Sequence, residues 1–169
     1  MNVAEVLTDG YERVRGVVHD AVDGLDAEQL SWRADADANS IAWLVWHLTR
    51  VQDSHIAEVA DREQVWISDG WYDRFGLSLA AEDTGYAHDP DEVAAVRVTD
   101  PDLLTGYYDA THEQTVRYLS GLTDADLDRV VDRNWSPPVT LGVRLVSVLD
   151  DDIQHAGQAA FVRGLLLRR

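Results

Sequence analysis

Asp151 and His155 lie four positions apart near the C-terminus, a spacing that can hold a metal ion. On an α-helix this spacing places the two β-carbons roughly 5–6 Å apart on one face, so both side chains reach the same point. The neighbouring carboxylates of Asp150 and Asp152 point about 100° to either side. The acidic triplet can also be read as a solvated helix face. Its place in the most apolar predicted helix favours a metal, because an unpaired carboxylate facing inward is costly.

His47 is the candidate for a third ligand. It stands in the run Trp43-Leu-Val-Trp-His47-Leu, which places it on or beside a buried helix face. Helical bundles build metal sites from a closely spaced pair on one helix and a partner on another. Two imidazole nitrogens and one carboxylate oxygen leave the fourth position of zinc open, as in catalytic rather than structural sites. We therefore predict a divalent ion on His47, Asp151 and His155, zinc before Ni²⁺ or Fe²⁺.

The other four of the six histidines are interpreted as ordinary packed or solvated residues. His55 follows His47 by about two turns, roughly 12 Å along a helix, which is too far to share the ion. His19, His88 and His112 are given the same interpretation.

Four long segments carry apolar residues at three- and four-residue steps, which predicts amphipathic helices. Ser40, Asp100-Pro101 and Thr140 are N-terminal signals for the last three of them. The predicted helices cover 3–22, 41–62, 101–121 and 141–167. The sequence therefore predicts an all-α four-helix bundle with a long excursion between helices two and three, as one domain over 1–169.

Two connections carry signals of their own. The excursion, residues 64–98, predicts one or two short helices, one at about 91–96. Its aromatic side chains are interpreted as core, with a substrate cleft as the alternative; they are Trp66, Trp71, Phe75 and Tyr86. Thr123 caps a predicted short helical turn, and the prolines around 137–138 predict an extended connector before the last helix.

Composition excludes several classes of function. With 14 basic and 31 acidic residues the formal charge is −17, which argues against nucleic-acid and anionic-membrane partners. The chain contains no cysteine, so disulfides, thiolate metal sites and a protein thiol nucleophile are excluded. It contains no lysine either, which removes Schiff-base chemistry. Without a targeting or membrane-spanning segment, we expect a cytoplasmic protein.

Three stretches together resemble the DinB-like superfamily, and within it the actinobacterial mycothiol S-transferases and the related mycothiol-dependent maleylpyruvate isomerases. They are Ser40-Ile-Ala-Trp-Leu-Val-Trp-His47-Leu, Pro138-Val-Thr-Leu-Gly-Val-Arg-Leu and Asp151-x-x-x-His155-x-Gly-Gln158. The resemblance covers nearly the whole chain. It implies a metal-binding four-helix bundle, often a homodimer, with its ligands at His47, Asp151 and His155. Many members carry His or Glu where this chain has Asp151.

The resemblance also implies a low-molecular-weight thiol, mycothiol in actinobacteria, and a small electrophilic substrate. A chain without cysteine must import its sulfur nucleophile, and a coordinating metal deprotonates a thiol. Three further residues are predicted to bind this cofactor. Gln158 is placed to hydrogen-bond a ligand or the thiol, Arg163 to pair with its polar body, and Trp43 to wall the pocket. In the alternative interpretation, Gln158 is a polar residue at the edge of the buried helix face and Arg163 is an ordinary cation near a helix end. Trp43 is then simply a core aromatic residue.

The predicted function is thus a metal-dependent thiol S-transferase. Two alternative enzymes share the ligand set. One is a non-haem Fe(II) oxygenase, which the helical pattern disfavours, and the other is a metal-dependent hydrolase. A non-enzymatic stress or interaction protein with this fold is the third alternative.

Overall fold

Four long helices form a bundle in the computed structural model, which describes residues 1–168. They are α1 (Val3–Val22), α3 (Ile41–Val59), α7 (Pro101–Ser120) and α8 (Leu141–Leu166). Helix α1 packs against α7 and α8, and α3 packs against the same two helices from the opposite side. The predicted all-α bundle with a long excursion between its second and third helices is confirmed.

Side-chain caps set where the long helices begin. Ser40 accepts a hydrogen bond from Trp43 N, Asp100 from Asp102 N, and Thr140 from Val143 N, as the sequence predicts. Helix α3 ends at Val59 rather than at 62. The backbone leaves the helix there because Asp61 adopts a positive φ of 51°.

Short elements fill the connections. They are α2 (Ala27–Leu30), α4 (Val65–Ser68), α5 (Trp71–Phe75) and α6 (Pro90–Ala95). A 3₁₀ turn over Asp124–Asp128 follows the predicted cap Thr123. The extended connector pairs with itself: β1 (Val130–Asp132) and β2 (Val139–Thr140) form an antiparallel ribbon, the one sheet within residues 1–168. None of the helices described for residues 1–168 has the length and apolar character needed to cross a membrane.

The excursion covers the side of α3 that faces away from the bundle, so nearly all of α3 is buried. Trp66 and Phe75 lie in the core, as predicted, and Trp71 packs against it. The core prediction is wrong for Tyr86, whose residue surface is 87% exposed. The excursion therefore converts an amphipathic helix into a buried one that carries polar side chains.

Two of these buried polar residues anchor the excursion. Arg50 donates to the carbonyl oxygens of Asp83 and Ala81, both at 3.1 Å. The Asp53 carboxylate accepts hydrogen bonds from the N–H groups of Val65 and Trp66 at 3.1 and 2.9 Å. Both ends of residues 65–83 are thus fixed to α3, and the loop that follows is held over the middle of that helix.

Candidate metal centre

The structure brings the three predicted ligands together. His47 lies on α3, and Asp151 and His155 lie one turn apart on α8. One donor atom from each of the three residues lies within 4.8 Å of the others. The site thus forms where two neighbouring helices of the bundle face one another.

The His47 ring is held in one orientation. Its Nδ1 lies 2.5 Å from the carbonyl oxygen of Thr84, and a carbonyl can only accept, so Nδ1 carries the proton. Trp43 stacks on the ring with centroids 4.5 Å apart and planes 15° apart. The tautomer leaves the Nε2 lone pair free, which is the state that a metal ligand requires.

His155 is held in a matching way by a residue on its own helix. Its Nδ1 lies 3.0 Å from Oε1 of Gln158, and its Nε2 lies 3.6 Å from Oδ1 of Asp151. The other carboxylate oxygen of Asp151, Oδ2, is buried and has no hydrogen-bond partner among residues 1–168. Two imidazoles and a carboxylate that keeps a buried, unsatisfied oxygen are donor types that a divalent metal binds, so the donor set fits such an ion.

Electrostatics differ between the two histidines. Burial lowers the pKa of His47, and the neighbouring His155 lowers it further. Burial also disfavours the charged form of His155, but hydrogen bonds to Asp151 and Gln158 outweigh it and raise the pKa of His155. Asp151 therefore favours positive charge at this point, whether the charge is a proton on His155 or a metal ion.

The acidic triplet around Asp151 is not one solvated face. Asp150 is exposed, whereas Asp152 is fully buried and neither of its carboxylate oxygens finds a hydrogen-bond partner in the described chain. Burial raises the pKa of Asp152 well above its usual range, and the nearby Asp151 raises it further. The solvated-face alternative is therefore wrong for Asp152, because its side chain points into the bundle.

A tight loop, residues 83–88, packs against the Nδ1 side of the His47 ring. The Asp83 carboxylate accepts from Gly85 N at 2.7 Å and lies 3.0 Å from His88 Nε2. Trp43 Nε1 donates to His88 Nδ1 at 3.1 Å. Gly85 has a φ of +86°, and a Cβ there would lie only 2.8 Å from His47 Nδ1. The loop therefore reaches His47 only because residue 85 has no side chain.

A cleft of about 510 Å³ opens beside His47 and Asp151, between α3 and α8. His47 and Asp151 lie at one end of it, and His55 and Arg144 lie at the other. The exposed ring of Tyr86 lines it from the excursion. The candidate metal centre is thus accessible to a small molecule.

Comparison with known proteins assigns the family. A family model described as mycothiol-S-transferase matches residues 6–167. The chain belongs to the mycothiol S-transferase family. This family lies in the DinB-like clan. A crystal structure described as that of a conserved protein from Enterococcus faecalis is 31% identical, with a TM-score of 0.94; the match covers 100% of this chain and 99% of that chain. A search of curated proteins gave no match.

The other predicted residues of this mycothiol S-transferase family member have different placements. Gln158 hydrogen-bonds the His155 ring, and Trp43 stacks on His47 while its edge approaches His155 at 6.1 Å between centroids. Arg163 donates to the carbonyl oxygens of Ala21 and Asp23 at the end of α1. Its guanidinium is thus engaged there, and a contact with the thiol stays a prediction that this placement does not support.

Sequence reasoning missed the parts of the site that come from the excursion. His88 was interpreted as ordinary but supports the loop above His47, and His55 lines the cleft. Thr84 acts through its backbone carbonyl, which side-chain chemistry cannot reveal. The Asp83-Thr-Gly85 stretch is a turn signal, but nothing local shows that this turn meets a helix 37 residues earlier.

Proposed function

We propose that this chain is a metal-dependent thiol S-transferase that uses a low-molecular-weight thiol, with mycothiol as the thiol that its family name indicates. One observation carries the proposal. One nitrogen from each of two imidazoles and one carboxylate oxygen converge beside an open cleft, and among residues 1–168 this cluster offers three protein donors. This count leaves a coordination position for an exogenous ligand.

His47, Asp151 and His155 would hold the ion, with zinc favoured over Ni²⁺ or Fe²⁺ by its preference for four ligands of this type. A divalent ion there lowers the pKa of a coordinating thiol and so supplies a thiolate near neutral pH. The chain's own residues prepare the site. Thr84 and Gln158 hold the proton on the Nδ1 atoms and aim both rings inward.

The remaining residues shape the reaction space. Trp43 and the loop over residues 83–88 cover one side of His47 and keep water from its ring. The cleft on the other side admits the second substrate, an electrophile. As the sulfur–carbon bond forms, the electrophile either loses its leaving group or takes up a proton at the carbon next to the one attacked.

The test combines metal content, thiol binding and conjugation on one preparation. Elemental analysis separates zinc from iron or nickel, and titration calorimetry measures mycothiol binding to the zinc-loaded protein. Chlorodinitrobenzene provides a chromogenic electrophile. We expect His47→Ala and His155→Ala to lose zinc and conjugation but to keep a helical circular-dichroism spectrum. His19→Ala is the matched control, because His19 pairs with Asp109 away from the cleft. Conjugation that persists without metal contradicts the proposal.

Thiol dependence separates this proposal from the hydrolase alternative, since a hydrolase would turn over without added thiol. The family resemblance also implies a homodimer, which stays a prediction. Sedimentation analysis tests it against the 18.9 kDa mass of one chain.

A further inference from the structure

The end of the cleft far from the metal ligands contains a buried cation. Arg144 lies seven residues before Asp151 on α8, which is about 10 Å along the helix. Its side chain is only 10% exposed and lines the cleft. Among the described residues that line this cleft, Arg144 is the one side chain with a permanent positive charge. A ligand that extends from the metal ligands along the cleft therefore ends beside a guanidinium.

One of the present partners of Arg144, the carboxylate of Glu58, can be replaced by a ligand. Its Nη1 donates to Glu58 Oε2 at 2.5 Å and to His55 Nδ1 at 3.1 Å, and Nη2 lies 3.7 Å from Asp132. The Glu58 side chain is 61% exposed, so the buried cation is held by a carboxylate that can turn out into water. A ligand carboxylate that replaces Glu58 leaves the local charge unchanged.

His55 contributes a hydrogen-bond acceptor at the same end of the cleft. Because Arg144 can only donate, His55 Nδ1 is the acceptor, and the ring proton must sit on Nε2. Burial and the neighbouring Arg144 both lower the pKa of His55, which agrees with a neutral ring in this tautomer. His55 is thus a neutral acceptor that holds the Arg144 guanidinium, and its Nε2–H group points away from that guanidinium.

The middle of the cleft is apolar. Val51 and Val148 line it between the two polar ends, with Ser54 and Ser147 beside them. A hydrocarbon spacer fits such a wall better than a second charge, because burying an unpaired charge there would be costly. The cleft therefore runs from the candidate metal ligands over an apolar middle to the paired Arg144 guanidinium.

We propose that the Arg144 guanidinium at this end of the cleft is a carboxylate subsite, so that one substrate is a small organic acid whose acid group lies about 10 Å from its reacting end. This inference rests on the proposed function, because the metal ligands define the reacting end. The formal charge of the chain is −17, so its overall field repels an organic acid. A fixed cation in the cleft offsets this repulsion at the place where the acid binds.

A series of ω-mercaptoalkanoates of increasing length, each paired with its ω-mercaptoalkanol, measures the distance directly. The zinc-loaded protein is titrated with each compound by calorimetry. A spacer of about eight bonds spans the cleft at roughly 1.2 Å per bond. We expect the acid to bind at least tenfold more tightly than the alcohol near that length, and no more tightly than the alcohol for short spacers.

Variants separate the subsite from general attraction. Arg144→Met is expected to remove the preference for the acid, while Glu58→Gln is expected to increase it because the competing carboxylate is gone. Arg117→Met is the matched control, since its exposed guanidinium pairs with Glu113 outside the cleft. If Arg144→Met does not fold, Glu58→Gln still decides, because the proposal requires its preference for the acid over the alcohol to increase.

The outcomes of the two proposals are distinguishable. If no thiol of any length binds the zinc-loaded protein, the proposed function fails. If the thiols bind but acids and alcohols bind equally at every length, the carboxylate subsite is wrong. A preference that survives in Arg144→Met, or that falls in Glu58→Gln, also overturns it.

Discussion

Gly85→Ala tests how closely the excursion controls the position of His47, the proposed metal ligand on α3. The new Cβ would lie 2.8 Å from His47 Nδ1, 3.0 Å from the Trp46 ring and 3.3 Å from the Trp43 ring. Real Cβ atoms do not approach other atoms as closely as 2.8 Å, so either the loop or the His47 ring must move. Both movements break the hydrogen bond from Nδ1 to the Thr84 carbonyl.

The magnitude follows from two separate effects. The φ of +86° costs a non-glycine residue about 1–2 kcal/mol of folding free energy. Loss of the hydrogen bond that orients a ligand typically lowers metal affinity about 10–100-fold, or about 1.4–2.7 kcal/mol. We expect the first effect in the unfolding of the metal-free protein and the second in zinc affinity, measured by competition with a chromogenic chelator.

Gly24→Ala is the matched control. Gly24 also has a positive φ, +70°, but its Cβ would meet no atom within 4 Å. This variant should lose a similar free energy of unfolding and bind zinc as the wild type does. If Gly85→Ala binds zinc with unchanged affinity, or if Gly24→Ala loses as much affinity, the support of His47 by the loop is refuted.

Two further predictions concern the residues that hold the two imidazoles. Burial alone would raise the pKa of Asp83, but hydrogen bonds from Gly85 N and His88 outweigh it and lower this pKa. The folded state therefore loses this stabilisation as pH falls through the lowered pKa. Asp83→Asn should therefore unfold at lower temperature near pH 7 and show a shallower loss of thermal stability in acid, and an unchanged pH profile would contradict this. Gln158→Leu frees His155 Nδ1 and should weaken zinc binding about tenfold by chelator competition with no loss of helix content. Wild-type affinity in that variant would show that Gln158 does not orient the ligand.

Local sequence signals were sufficient to predict the bundle. Side-chain caps and apolar periodicity are properties of adjacent residues, and Ser40, Asp100 and Thr140 begin their helices as these rules require. The same is true of the pair Asp151 and His155, because helix geometry alone places them on one face. His47 was predicted as the third ligand from its place on an apolar helix face, and the bundle places it beside them.

The support of the site could not be predicted, because it depends on contacts between distant segments. Arg50 was an unassigned residue of an amphipathic helix until the excursion buried it and placed two loop carbonyls against it. The same folding brings the Thr84 carbonyl to His47 and exposes Tyr86 at the cleft. Every residue has a backbone carbonyl, and a glycine does not show which side chain it lies against. Contacts of this kind therefore cannot be recognised from a sequence pattern.

X-ray absorption at the zinc edge tests the central claim most directly. The zinc-loaded protein should show only nitrogen and oxygen neighbours at about 2.0–2.2 Å, from two imidazoles, one carboxylate and water. Addition of mycothiol should replace one light neighbour by sulfur at about 2.3 Å, and His47→Ala should lose the ion. A spectrum that mycothiol leaves unchanged, or zinc that stays bound in His47→Ala with the same neighbours, would contradict the account.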